Sequence, residues 1–333
     1  MGRIIIIVLG LVVIGGGGAY FLMPDVKKKV DEAARTASGY GPAEKPMECA
    51  DRFRDAIRAA REAPPPPRNG HHDGDGNGRK RDNGAVIECR DVVKAFSGHT
   101  VLDGVTASIP RGEITVIMGP SGTGKSVLLR HIVGLLLPDS GDVVVEGMSV
   151  PRLNEDELLE LRRNIGMLFQ DGALFSSMNL YDNVAFPLRQ HTKKSEKEIR
   201  EIVMGRLKEV GLAGSEKKMP GELSGGMRKR AGFARALVME PKILLFDEPD
   251  SGLDPVRTAL LCDLIKEIQR KYDCTAVVIS HDIKAVFEIA DDIVLLHGGK
   301  VVEQGPKEQL KKSDNKFTAQ FLQGAVSGPL GMD

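Results

Sequence analysis

A chain of 333 residues with 41% hydrophobic content is long enough for more than one domain and rich enough to build a sizeable core. Lys+Arg and Asp+Glu both total 46, so the net charge of zero carries no electrostatic signature of a nucleic-acid binder. Trp is absent and aromatics make up 5%, which also argues against base-stacking surfaces.

The four cysteines, Cys49, Cys89, Cys262 and Cys274, form no C-x-x-C pair and read as reduced thiols. Residues 4–24 carry no charge. At about 1.5 Å per residue such a helix spans roughly 30 Å, one hydrocarbon core, so residues 1–24 read as an N-terminal transmembrane anchor. The rival is a cleaved signal peptide, with Arg3 as its basic start and Gly17-Gly18-Ala19 as its cleavage site. The retained anchor is favoured over cleavage and export. Lys27, Lys28, Lys29 and Arg35 follow the span and place the bulk of the chain on the cytoplasmic side. Ile6 stands where an N-myristoylation signal needs Ser or Thr.

Residues 25–63 read as a short helical membrane-proximal region, with Phe53, Ile57 and Ala60 on one helix face. Pro64-Pro65-Pro66-Pro67 stiffens the chain into polyproline II, and residues 68–84 have the composition of disorder, making 64–84 a linker. Asp73-Gly74-Asp75-Gly76-Asn77-Gly78 copies half of a calcium loop, but Gly84 occupies the position of the bidentate Glu, so no calcium site results. Arg79-Lys80-Arg81 reads as a solvated charge run.

From Ala85 the texture becomes α/β. Short strands are expected at 86–89, 105–109 and 143–145, a helix at 154–163 and a strand at 165–169 ending at Gln170. A mainly helical stretch follows to about Arg235, then two apolar runs at 243–246 and 276–280 suited to central parallel strands.

Three clusters carry chemistry. Gly119-Pro120-Ser121-Gly122-Thr123-Gly124-Lys125-Ser126, between an apolar strand and a helix opening at Val127, fits G-x-x-x-x-G-K-[ST]. Its backbone N–H groups and helix N-terminus would cradle the phosphates of ATP. Lys125 would reach the β- and γ-phosphates, and Ser126 would complete a Mg²⁺ shell. Asp247-Glu248 ends an apolar strand, where buried strands rarely place two carboxylates without a cation nearby. Asp247 suits Mg²⁺ and Glu248 suits polarising the attacking water. Ser224-Gly225-Gly226-Met227 opens a helix as a second anion site, which makes sense if two copies dimerise head to tail and each serves the other's γ-phosphate.

At this point the chain resembles the ATP-binding cassette (ABC) transporter ATPases over roughly residues 85–312. The expected fold is the α/β P-loop nucleotide-binding domain of that family, a mixed sheet with a helical subdomain at about 171–235. The resemblance implies adenine stacking on Phe96 and a Gln170 that links the nucleotide and its Mg²⁺ to a membrane partner. It implies a loop through Ser251 to Asp254 near the nucleotide, and a His281 that contacts the γ-phosphate. Met227 in the signature, the run from Phe169 through Leu188 and the 313–333 extension look like the Mce/Mla-type lipid transport ATPases. In those proteins the extension packs against the partner ATPase. That resemblance implies a homodimer beneath an MlaE-type integral-membrane permease, with an Mce-domain lipid-binding protein in the complex, lipid as indirect cargo, no nucleic acid, and a site at the cytoplasmic face of the inner (plasma) membrane. Residues 1–84 depart from it. The alternatives are an importer ATPase for a polar solute, a non-transport cassette, which usually carries paired cassettes or a long coiled-coil insertion, and a signalling or scaffold ATPase.

Overall fold

The structure, a computed structural model, describes residues 7–8, 11–12, 84–325 and 328–329. Strands β1 (Ile7–Val8) and β2 (Leu11–Val12) pair antiparallel, so at these four positions the expected transmembrane helix is replaced by extended backbone. β-Branched residues favour that conformation. Among the described residues no helix is long and apolar enough to cross a membrane. The rest of residues 1–24, the helical region at 25–63 and the linker at 64–83 lie outside the described residues.

Strands β3 (Ala85–Phe96) and β4 (His99–Pro110) form one long hairpin, where only two short strands were expected. Its turn, Ser97-Gly98, holds φ of 50° and 83°, the double-positive geometry that matches the twist of paired strands. The polar residues Glu88, Arg90 and Asp91, together with register shifts about them, break the alternation that would have announced the full length. After β5 (Ile114–Met118) and α1 (Lys125–Ile132), β6 (Ser140–Val145) and β7 (Met148–Ser149) complete an antiparallel sheet of order β4-β3-β6-β7.

Helix α2 (Glu155–Arg163) starts at a reciprocal Asn154–Glu157 capping box and leads into β8 (Ile165–Leu168). Helices α3 (Leu180–His191), α4 (Glu196–Glu209) and α5 (Gly225–Leu237) bury Leu180, Val184, Ile199, Val203 and Ala231 in a core of their own, the helical arm expected here. Buried Asn183 stitches the chain entering α3, donating to the carbonyls of Phe175, Met178 and Asn179.

Strand β9 (Ile243–Asp247), helix α6 (Pro255–Tyr272), strand β10 (Thr275–Ile279), helix α7 (Ile283–Ile289) and strands β11 (Asp292–His297) and β12 (Lys300–Pro306) follow. The main sheet has the order β12-β11-β5-β10-β9-β8, parallel except for β12. β5, β9 and β10 are buried at every residue, as strands covered on both faces must be. After α8 (Lys307–Leu310), helix α9 (Lys316–Gln323) packs Phe317 at a tilt against His297, and Thr318 in the helix and Ser313 before it both donate to Glu303. The start of the extension therefore packs on this chain's own sheet edge. Cys89, Cys262 and Cys274 are buried free thiols whose pKa burial pushes up to about 12, 12 and 11.

Helix α5 lies on β8 because Gly166 has no side chain. A Cβ there would stand 2.4 Å from the Ala236 carbonyl oxygen and 2.9 Å from Pro241 Cγ. Gly166→Ala is expected to destabilise the fold by ~1–3 kcal/mol through overpacking. Urea titration should show a lower midpoint at unchanged slope.

Candidate functional site

Three neighbouring parallel strands end at one edge of the main sheet. In their register Ile279 stands opposite Ile117 on one side and Asp247 on the other. The loops leaving β5, β10 and β9 therefore emerge side by side, at the strand carboxyl ends where open α/β sheets bind ligands. They carry Gly119 to Ser126, Ser280-His281 and Glu248.

The β5 loop closes against its neighbour so tightly that a Cβ on Gly119 would stand 2.0 Å from the Leu296 carbonyl oxygen. Ser121 and Gly122 are exposed at its crest. Gly124 caps α1 without a side-chain hydrogen bond, so the first-turn N–H groups and the positive end of the helix dipole face an incoming anion. Lys125 folds back over the loop, its Nζ donating to the carbonyls of Gly119 at 2.9 Å and Pro120 at 2.7 Å. Burial lowers its pKa, while Glu248 and Asp247 act in the opposite sense. Thr123 Oγ1 closes the turn on Pro120 O at 2.9 Å, and Val127 continues the helix.

Ser126 Oγ donates to Asp247 Oδ1 at 2.6 Å, bringing together two hard oxygen groups of the kind Mg²⁺ takes. Beside them Glu248 sits at φ 47°, an uncommon conformation for a residue with a side chain, and its N–H donates to Ile279 O at 3.1 Å. His281, 55% exposed at its side chain, places Nδ1 3.9 Å from Glu248 Oε1. Gln170 is exposed and donates through Nε2 to Ser251 Oγ at 3.2 Å. Among the described residues no hydrogen bond joins it to Ser126 or Asp247.

The remaining expected residues lie around this centre. Phe96 is 41% exposed at the end of β3, with Lys94 Nζ 5.6 Å from its ring centroid. The start of β4 abuts the loop, since a Cβ on Gly124 would stand 3.0 Å from Val101 O. Ser224 caps α5 by accepting the Met227 N–H at 3.3 Å, and Ser224 and Gly225 are exposed. A Cβ on Gly226 would lie 3.7 Å from Leu253 Cδ2. Asp254 caps α6 by accepting the Arg257 N–H at 3.0 Å. Within one chain, then, the phosphate loop, Asp247, Glu248 and His281 meet. Among the described residues no hydrogen bond joins residues 224–227 to the phosphate loop.

Three residues at the site, Lys229, Asp250 and Ser280, were given no role in the sequence. Lys229, nearly buried, donates to the Ser251 carbonyl, and buried Asp250 accepts the Ser280 hydroxyl at 2.7 Å. Helical period holds the signal for Lys229, because positions 229, 232 and 233 share the inward face of α5. The third acid of Asp247-Glu248-Pro249-Asp250 was equally visible. Nothing local marks Ser280, whereas Ser251 lies in the loop expected near the nucleotide.

An open groove, which Phe169 next to Gln170 helps to line, lies between α2, β8, α3 and α5. Met167, Phe169, Phe186 and Met239 give it an apolar lining, Leu159 stands exposed at its rim, and Arg162, Arg163 and His191 add positive or titratable groups. Arg235 borders it, donating to Ala173 O at 2.8 Å and Gly172 O at 3.0 Å, and burial pushes its pKa down to about 10.

The family model described as ABC transporter matches residues 102–251. A "probable ribonucleotide transport ATP-binding protein mkl" from Mycobacterium leprae is 52% identical over 249 residues, covering 75% of this chain and 72% of that protein. The chain belongs to the ABC transporter family. Its enzymatic activity is ATP hydrolysis. The cassette is also similar to the "intermembrane phospholipid transport system ATP-binding protein MlaF" of Escherichia coli K12, at 42% identity over 245 residues, covering 74% of this chain and 91% of that one. Among solved structures it superposes on cbiO1 of Clostridium perfringens with TM-score 0.64 at 32% identity, over 72% of this chain and 96% of that one. It also superposes on a dimeric ATP-binding cassette in a post-hydrolysis state with ADP and phosphate, with TM-score 0.62 at 32% identity, over 66% and 98%.

Hydrogen bonds to charged groups contribute ~1.5–3 kcal/mol each, so Lys125→Ala should weaken ATP binding roughly tenfold or more. Titration calorimetry with ATP measures this, and unchanged affinity would remove Lys125 from the phosphate site.

Proposed function

We propose that this cassette energises the transport of phospholipid or another hydrophobic lipid, as a homodimer bound to a separate permease at the cytoplasmic face of a membrane. The observation that carries the ATPase part is the row of strand ends holding Lys125, Asp247, Glu248 and His281 together while Ser224 and Gly225, at the start of the 224–227 loop, stay exposed. A site so divided is completed by a second copy arranged head to tail. Residues 85–312 act as the ATPase unit, 171–235 as its helical arm and 313–333 as an extension.

In this reading ATP lies across the phosphate loop with adenine on Phe96, and Lys125 exchanges its loop carbonyls for β- and γ-phosphate oxygens. Ser126, Asp247 and Gln170 would hold Mg²⁺, which when bound offsets phosphate charge. Glu248 accepts a proton from the attacking water, and His281 holds the γ-phosphate. Ser224, Gly225, Gly226 and Met227 of the partner copy close over it, with Asp254 at the seam. The groove beside Gln170 receives an apolar element of the permease, and closure of the dimer reaches it through the hydrogen bond from Gln170 to Ser251.

Support for lipid as cargo comes from the MlaF relatives, whose match spans nearly their whole length, and from the Met227 signature and tail. A ribonucleotide is the second reading, because the 52%-identical relatives carry that name. An MlaE-type permease and an Mce-domain protein are the expected partners of the first.

Glu248→Gln should bind ATP, hydrolyse it at least about a hundredfold more slowly and remain a closed dimer in size-exclusion chromatography with light scattering. Wild-type turnover would remove Glu248 from its role. Isolated from native membranes with ATP, this variant should bring a multi-span permease, an Mce-domain protein and lipid. A permease with a nucleotide-binding partner instead would move the cargo to the second reading. Leu159→Asp, at the exposed rim of the groove, should abolish permease stimulation of ATPase turnover while basal turnover persists. Stimulation equal to wild type would place the permease elsewhere.

A further inference from the structure

Asp250 is a buried acid, 9% exposed, to which the reaction above gives no task. Its Oδ2 accepts the Ser280 hydroxyl at 2.7 Å, while Oδ1 is buried without a hydrogen-bond partner. A buried acceptor without a hydrogen bond is destabilising, and although the charge of nearly buried Lys229 offsets part of that, its ammonium donates to the Ser251 carbonyl instead of to Oδ1. A buried polar group kept at that cost in a catalytic loop calls for a functional explanation.

The connectivity supplies one. Ser280 Oγ also accepts the Asp282 N–H at 3.0 Å, so the turn containing His281 is held from both sides by one hydroxyl. Asp250 belongs to the loop that begins at Glu248, where Ser251 N–H donates to Glu248 O at 3.2 Å and Leu253 N–H to Asp250 O at 3.1 Å. Two links thus cross between these loops, Glu248 N–H to Ile279 O in the backbone and Ser280 to Asp250 through side chains. Lys229 fastens the same loop to α5 through the Ser251 carbonyl. Glu248 itself holds φ 47°, a conformation that persists only where the surroundings over-determine it.

We propose that Asp250 and Ser280 form a positioning clamp that sets the separation of Glu248 and His281 for ATP hydrolysis. The inference rests on the roles of Glu248 and His281 given above. Neither clamp residue touches nucleotide. Asp250 acts through Ser280, and Ser280 through the turn that aims His281. The clamp lies just past the ends of β9 at Asp247 and β10 at Ile279, where one backbone link, Glu248 N–H to Ile279 O, is the last between the two strands and the side-chain link adds a second tie.

The test uses the purified full-length chain, with turnover expressed per ATP-binding site so that misfolded protein is not counted. Ser280→Ala should lower kcat roughly tenfold to a hundredfold, the range expected for misplacing reacting groups, with ATP affinity and KM unchanged. Ser280→Thr, which restores the hydroxyl, should recover most of the rate. Asp250→Ala should match Ser280→Ala, and the double variant should be no slower than either single one. Wild-type kcat in Ser280→Ala overturns the clamp, as do losses that multiply in the double variant or fall equally on ATP affinity. Glu248→Gln run alongside separates the two readings. If it turns over normally, the assignment of Glu248 has failed. If it is inactive while Ser280→Ala is normal, only the clamp has failed.

Discussion

Everything at this site depends on the register between β5, β10 and β9. Each strand is apolar on both faces and buried throughout, so a slip would expose core residues as well as misalign the strand ends. That penalty is large and distributed over Val116, Ile117, Leu245, Phe246, Val278 and their neighbours. It fixes three strand ends to within a residue before any loop contact forms. The phosphate loop, the paired carboxylates and His281 are then separate loops delivered to one place by the core beneath them.

The helical arm has a different relation to that centre. It owns its hydrophobic core and touches the main sheet chiefly where α5 meets β8. Between them run the two segments that bear on both, residues 169–173 and 248–254. Ser251 is where they meet, accepting Gln170 at its hydroxyl and Lys229 at its carbonyl. An arm with its own core can shift as a body, and these contacts are what such a shift would carry to Glu248.

The sequence was legible where a physical requirement compresses into adjacent residues. A phosphate cradle needs its glycines, Lys125 and Ser126 in one short run, and strand ends with two acids are conspicuous. The helix at 154–163 was legible from its acidic and basic residues, and the structure adds the Asn154–Glu157 capping box that starts it. The hairpin of β3 and β4 was read at less than half its length, because bulges and exposed polar residues interrupt its alternation. Contacts between residues far apart in the chain left no local trace. Ser280 joins Asp250 across 30 positions and Gln170 joins Ser251 across 81, distances at which no periodicity operates. At the amino terminus an apolar run long enough for a membrane helix is extended at its four described positions.

The posture of Lys125 has a consequence for selectivity. Its ammonium already holds two carbonyl oxygens of its own loop, so a ligand gains from it only the difference between those dipoles and what the ligand offers. A neutral nucleoside offers nothing in exchange, and a lone α-phosphate little. A chain of ionised phosphates offers several full charges within reach of one ammonium and one helix terminus. In the proposed role the loop would act as a threshold on ligand charge, favouring the polyphosphate whose terminal bond is to be broken over adenosine and AMP.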